Sequence, residues 1–440
     1  MTDQSATTAP TKNLFSLFPF AVFLSIFLGT GIVLTMQGVE FAFYQLPASI
    51  AIIPAIIIAI FMGRQPISEQ IGQFINGAGH PNIITMCFIY LLAGAFAVVA
   101  KATGSVDASV QLGLSLFPDF LLLPGLFLVA AFISTAMGTS MGTIAAIAPI
   151  ALGLVEASDV DSSVIAGVII SGAIFGDNLS IISDTTIAST RSQGAKMKDK
   201  FKVNFTFAVP AAILCIILFA SMGVTMPTIA ASETNIIGLL PYIAILILAL
   251  LGVNVFIVLV IGIVLAAGVG MWQTGYALST WISDINQGFA NMQDLFILAL
   301  FIGGLSELIK RQGGLAALTD LVERITRRIY RNNNKRAAGF GIACLAFICN
   351  FFTANNTVSI IVTGETAKEL AEDGALSPAH SASILDIFAC INQGLLPYGA
   401  QALLLGTTLQ LSPLAVVSHA YYPMILLFVA SFAFWRVTKK

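Results

Sequence analysis

Apolar runs of about 15 to 23 residues recur along the whole chain, each long enough to cross a hydrocarbon core of about 30 Å as a helix. They fall near 15–36, 43–63, 82–100, 117–136, 141–155, 163–182, 203–223, 236–251, 253–271, 292–309, 337–353, 357–371, 379–400 and 413–435, fourteen segments in all. The short fifth and twelfth, each following a turn rich in Gly, Ser, Thr or Asn, read as arms of re-entrant hairpins or as short spans. Only 10% of the 440 residues are charged and 57% are hydrophobic, whereas a soluble chain carries about 25% charged residues. Most of the outer surface must therefore face lipid. The expectation is an all-α, polytopic membrane protein.

Charge gives orientation, because cytoplasmic loops retain Lys and Arg. One basic loop follows the sixth segment (Arg191, Lys196, Lys198, Lys200, Lys202) and another, 310–336, follows the tenth. With the N-terminus inside, alternation puts both loops and both termini in the cytoplasm, and only Lys101 falls outside. A cell inner (plasma) membrane is the expected location. A net charge of −2 with localised basic residues argues against nucleic acid as a partner. The five cysteines lie in apolar stretches without metal-ligand spacing and read as free thiols.

Sliding the sequence on itself by 216 residues sets Leu154, Glu156, Ala166, Ala173 and Leu179 against Leu370, Glu372, Ala382, Ala389 and Leu395. The same shift lays GTSMGT (138–143) over ANNTVS (354–359). Two halves of about seven segments follow: a disordered cytoplasmic tail at 1–12, a first repeat at 13–223, an external linker at 224–235 and a second repeat at 236–436. An odd number of segments per half inverts one half relative to the other. The charges agree, since each basic loop has a nearly neutral counterpart in the other repeat. Inverted repeats with interrupted helices are the architecture of secondary transporters, whose sites lie near the midplane between repeats.

Polar residues gather at the interruptions. The first half offers Thr139, Ser140 and Thr143, then Asp177, Asn178, Ser180, Ser183, Asp184, Thr185 and Thr186; the second offers Asn355, Asn356 and Thr357, then Asn392, Gln393 and Gln401. Glycines there let the backbone leave helical geometry, freeing carbonyls that coordinate Na⁺ beside hydroxyl and amide oxygens. Asp177 and Asp184 are the closely spaced intramembrane acidic pair; if the stretch stays helical, both lie on one face two turns apart. A carboxylate at that depth must be paired, protonated or bound to a cation, which makes Na⁺ at Asp177 and Asp184 the expected occupant. Blander readings stand beside these: Asp184 as a solvated helix-end acid, 134–143 as a small-residue packing surface, and Asn355 and Asn356 as helix caps. Glu307 with Arg311, and Glu365 with Lys368, read as interfacial ion pairs. Asp386 stays open between a buried acid and an edge residue. The tract 310–336 has Leu315, Leu318, Leu321, Val322 and Ile325 at helical spacing and reads as an amphipathic surface helix.

GDNLSIISDTTIAST (176–190) resembles the signature of the NhaC-type sodium/proton antiporter family, and the similarity extends to GTSMGT, to KATGSVDASVQLGLSLFP (101–118) and to the NNT turn. This resemblance implies a cation site at Asp177, Ser183, Asp184, Thr185 and Thr186. The paired tips also look like the broader ion-transporter superfamily, which moves a transport domain against a scaffold. Asn178 and Ile181–Ile182 stand where Lys and Pro-Leu are common in antiporter members. The function expected is Na⁺/H⁺ antiport by alternating access, with Na⁺ as transported or coupling ion, no cofactor and no enzymatic activity. The alternative is a Na⁺-coupled amino-acid or carboxylate transporter in which Asn355, Asn356 and Thr357 bind a small organic solute. Membrane lipid is the expected surroundings, and a homo-oligomer is left open. A channel lacks a span polar along its length, an enzyme lacks a nucleophile–base or metal constellation, and an ATP-driven pump lacks a GxxxxGK[ST] motif.

Overall fold

The computed structural model describes residues 12–39, 41–116, 118–222, 235–329 and 334–437; most of the tail at 1–12 and of the linker at 224–235 lies outside them. All regular structure among the described residues is helical. The first half runs α1 (Phe18–Met36), α2 (Ala48–Ala51), α3 (Ile53–Met62), α4 (Ile67–Ala78), α5 (Pro81–Ala102), α6 (Ser105–Leu116), α7 (Leu122–Met137), α8 (Ser140–Ala157), α9 (Ser162–Leu179), α10 (Asp184–Gln193) and α11 (Met197–Ser221). The second runs α12 (Leu240–Leu250), α13 (Val255–Gln273), α14 (Leu278–Arg311), α15 (Gly314–Ile329), α16 (Asn334–Thr353), α17 (Asn356–Asp373), α18 (Pro378–Leu395), α19 (Ala400–Leu409), α20 (Pro413–Ser418) and α21 (Tyr421–Val437). Eight helical stretches among the described residues are long and apolar enough to cross a membrane, and four shorter apolar helices accompany them.

The repeat is written into the helix boundaries. Adding 216 to the bounds of α8, α9 and α10 gives those of α17, α18 and α19, and adding it to those of α11 gives the start of α20 and the end of α21. Single bonds repeat too: Ser134 donates to the Ala173 carbonyl at 2.6 Å, and Asn350, its counterpart, donates to the Ala389 carbonyl at 2.9 Å. Each bond ties a hairpin arm to the interrupted helix beside it.

Several expected segments divide or lengthen. The spans at 163–182 and 379–400 are not continuous: Ser180 and Ser183 turn extended between α9 and α10, as Leu396 and Gly399 do between α18 and α19. The last span is split between α20 and α21. The tenth, expected at 292–309, is the end of the 34-residue α14, whose polar first half suggests a loop by composition. Gly288 explains why it packs, since a Cβ there would lie 2.5 Å from Ala95 Cα on α5. The two backbones touch where side chains would hold them apart.

Around the basic tracts, Glu307 binds Arg311 at 2.7 Å and Lys310 at 3.2 Å as expected, whereas Glu365 is exposed and makes no ion pair with Lys368. α15 buries Leu315, Leu318 and Val322 and exposes Leu321 and Ile325. Lys12 pairs with Asp320 on its surface. The loop expected after the sixth segment is mostly helix, and Lys200 within it is buried. All five cysteines are free thiols.

Candidate cation site at the hairpin tips

Two tight turns bring the repeats together. After α7, Gly138 takes the left-handed conformation (φ 69°) and Thr139 caps α8, its hydroxyl accepting from Gly142 N at 3.3 Å. A Cβ on Gly138 would come within 3.0 Å of Ser183 N, so both backbone and space call for glycine. After α16, Ala354 takes the same left-handed conformation (φ 48°), and Asn355 caps α17 by accepting from Val358 N at 3.0 Å. Asn355 is thus a helix cap, and it also faces the cavity described next.

Asp177 lies in the last turn of α9 and is 3% exposed. Its carboxylate accepts from Ser140 Oγ at 2.9 Å, Ser140 N at 3.3 Å and Ser183 Oγ at 2.6 Å. Because Ser140 N belongs to the first turn of α8, the carboxylate rests against the positive end of that helix. Ser183 also shares a hydrogen bond with Thr185 at 2.9 Å. The break at 180–183 therefore folds back onto the acid that precedes it.

A cavity of about 110 Å³ lies between the tips. The first repeat lines it with Thr139, Ser140, Asp177, Ser183, Asp184 and Thr185, the second with Asn355, Asn356, Thr357, Gln393 and Gln401, and α5 with Asn82, Thr85, Met86 and Ile89. Gln393, the repeat counterpart of Asp177, donates to Gln401 at 2.8 Å, and Gln401 donates to Ser140 Oγ at 3.2 Å. The buried Gln393 Oε1 has no hydrogen-bond partner among the described residues. The lining is rich in hydroxyl, amide and carboxylate oxygens, the ligands hard cations take, and holds no basic side chain. A larger cavity, of about 710 Å³ among Phe340, Phe347, Phe388 and Leu427, is walled mainly by apolar side chains and lies away from these acids.

Not every candidate reaches the cavity. Asp184 does, but as the exposed first residue of α10; the break removes the single helical face expected to carry it with Asp177. Thr143, Asn178, Ser180, Thr186 and Asn392 lie outside the lining. Thr143 donates to the Thr139 carbonyl at 2.9 Å, Asn178 to Tyr422 Oη at 3.2 Å, and Thr186 to the Ser180 carbonyl at 2.8 Å. Asn392 is buried with its Oδ1 unpartnered among the described residues.

Behind the cavity the structure resolves the open reading of Asp386. It is fully buried and ion-paired at 2.6 Å to Lys200, a residue that the charge pattern assigns to a cytoplasmic loop. The signal lay in spacing: Lys200, Asn204, Phe207, Ala208, Ala211 and Cys215, all buried, recur at helical intervals along one face of α11.

The model of the Na⁺/H⁺ antiporter family matches residues 2–224 and again 225–436. The chain is 23% identical over 371 residues to the Na⁺/H⁺ antiporter NhaC of Alkalihalophilus pseudofirmus, covering 76% of this chain and 78% of that protein. It is 25% identical to the Na⁺/H⁺ antiporter NhaC of Bacillus subtilis, covering 93% and 96%. It is also 23% identical to the malate-2H⁺/Na⁺-lactate antiporter of Bacillus subtilis, covering 94% and 92%. With the family matched across both repeats, this chain belongs to the Na⁺/H⁺ antiporter family.

Proposed function

We propose that the protein exchanges Na⁺ for H⁺ by letting the two compete for Asp177. The observation that carries this reading is the buried carboxylate at the junction of both repeats, held by three donors and open on one side to an oxygen-lined cavity. In the Na⁺-bound state the cation neutralises Asp177 and takes oxygens from Ser183, Thr185, Gln393 and the tip residues. When Na⁺ leaves, a proton on the carboxylate replaces the missing charge. A bare carboxylate in a membrane-embedded site is the costly species, so crossing with neither partner is disfavoured. That penalty couples the two fluxes.

Alternating access has a natural seam at the wall contributed by α5, which packs on α14. Moving the hairpins and interrupted helices past that wall would open the cavity to one side and then the other. By the charge pattern both termini and α15 face the cytoplasm of a plasma membrane, with repeats bounded near 13–223 and 236–436. The absence of a basic side chain from the lining leaves an organic carboxylate without a counter-charge there.

The test is reconstitution into liposomes with a trapped pH dye, followed by addition of Na⁺, Li⁺ or K⁺. Na⁺-driven proton efflux that Asp177→Asn lacks supports the reading. Wild-type silence with every cation refutes it and directs attention to labelled amino-acid and carboxylate uptake.

A further inference from the structure

The polar cluster behind the cation cavity occurs once in a fold that is built twice. Lys200 on α11 is 1% exposed and pairs at 2.6 Å with Asp386 on α18, which is 0% exposed. The same ammonium donates to Thr186 Oγ1 at 2.6 Å, and Thr186 donates to the Ser180 carbonyl at 2.8 Å. Asn204, one turn beyond Lys200, donates to Asp386 at 2.9 Å and to the Asn178 carbonyl at 2.8 Å. The pair therefore grips the α9–α10 break from behind, while Asp177 faces the cavity in front.

Shifting by 216 residues turns Lys200 into Val416, Asp386 into Ile170, Thr186 into Ala402 and Asn204 into Ala420, and all four counterparts are fully buried. The fold closes the equivalent place with apolar side chains. Replacing a buried ion pair by apolar packing is often neutral or stabilising, so architecture alone does not account for this one. What the cluster offers is a carboxylate and a hydroxyl facing a compact positive charge, an arrangement that suits an alkali cation as well as an ammonium. Beside it, the buried Asn178 Oδ1 and Ser180 Oγ have no hydrogen-bond partner among the described residues.

We propose that Asp386 and Thr186 form a second alkali-cation site, separate from Asp177, which the tethered ammonium of Lys200 fills in place of a second Na⁺. The proposal rests on the reading that Asp177 carries Na⁺. It confines the wild type to one Na⁺ while keeping Asp386 neutralised throughout the cycle.

Equilibrium binding of radiolabelled Na⁺ to purified protein tests it. Wild type is expected to bind one equivalent, Lys200→Ala two, and both Lys200→Ala/Asp386→Asn and Lys200→Ala/Asp177→Asn one. A single equivalent in Lys200→Ala with wild-type half-saturation overturns the proposal, as do two equivalents in wild type; wild type binding none overturns the parent reading with it. Should Lys200→Ala fold poorly, purification in NaCl and in KCl decides. Recovery in NaCl alone supports a vacated cation site, and failure in both salts, with Lys200→Ala/Asp386→Asn recovered, overturns it.

Discussion

The two cavity acids differ enough in burial to predict which of them carries the cation. Asp177 is 3% exposed and sits among hydrogen-bond donors, whereas Asp184 is exposed at the start of α10. Two unit charges about 4 Å apart attract by about 4 kcal/mol at the effective dielectric of about 20 that suits sites within a protein, and by about 1 kcal/mol in water. At about 1.4 kcal/mol per decade, Asp177→Asn should weaken Na⁺ binding by about a thousandfold and Asp184→Asn by about fivefold. Asparagine keeps an oxygen to accept from Ser140 or Ser183 and removes a buried charge, so the variant should remain folded. Na⁺ half-saturation in proteoliposomes, with gel filtration of the same preparations as a fold control, measures both effects. Asp177→Asn within tenfold of wild type, or a larger loss at Asp184, would refute the assignment of the site to the buried acid.

The hairpin tips make a paired prediction: Ala354→Gly should gain up to about 1 kcal/mol by relieving a left-handed alanine (φ 48°), while Gly138→Ala should lose at least that much, both read as shifts in thermal unfolding. Ser134→Ala and Asn350→Ala should each cost about 0.5–1.5 kcal/mol by removing the side-chain donor from the Ala173 or Ala389 carbonyl, which keeps its place in the helix, and equal losses by chemical denaturation would confirm that the two repeats use one bond alike. Asp161 caps α9 by accepting from Ser163 N at 2.8 Å, and the hydrogen bonds from Ser163 hold its carboxyl below the usual carboxylate range. Asp161→Ala should cost about 1 kcal/mol at neutral pH. Because the folded-state value is the lower one, that contribution is present above the ordinary carboxylate range and fades as pH falls through the folded value, so the gap between wild type and variant should narrow in acid.

Much of the architecture is legible in the sequence because lipid imposes so few solutions. Apolar runs mark the helices, and the polar turns at 138–143 and 354–359 mark the tips. The shift of 216 residues that aligns Leu154 with Leu370 also aligns helix bounds and the bonds of Ser134 and Asn350. Legibility fails where polarity has two meanings. The Ser, Asp, Asn and Gln residues early in α14 look like a loop, yet Gly288 lets that stretch lie against α5 as helix. Ile181 and Ile182 look like continued span, yet each is 51% exposed in a break that Asp177, Ser183 and Thr186 hold by side-chain hydrogen bonds. Hydropathy records how apolar a residue is, not which partner satisfies it.

Lys200 is the sharpest instance, and it bears on how such a fold acquires a function. A lysine next to Lys196, Lys198 and Lys202 adds to the signal for a cytoplasmic loop, and only the interval to Asn204 and the apolar positions beyond sets it apart. The inverted repeat supplies two tips, two breaks and a cavity between them, and symmetry alone would make both halves equivalent. Asp177 facing Gln393, and Lys200 with Asp386 where the repeat-related positions hold Val416 and Ile170, break that equivalence. A symmetric frame can open to either side with little bias, while one buried acid, Asp177, whose repeat counterpart is the neutral Gln393, is where the proposed exchange would set the two ions in competition. The side chains that depart from the repeat are therefore the ones to mutate first, and those that obey it are the controls.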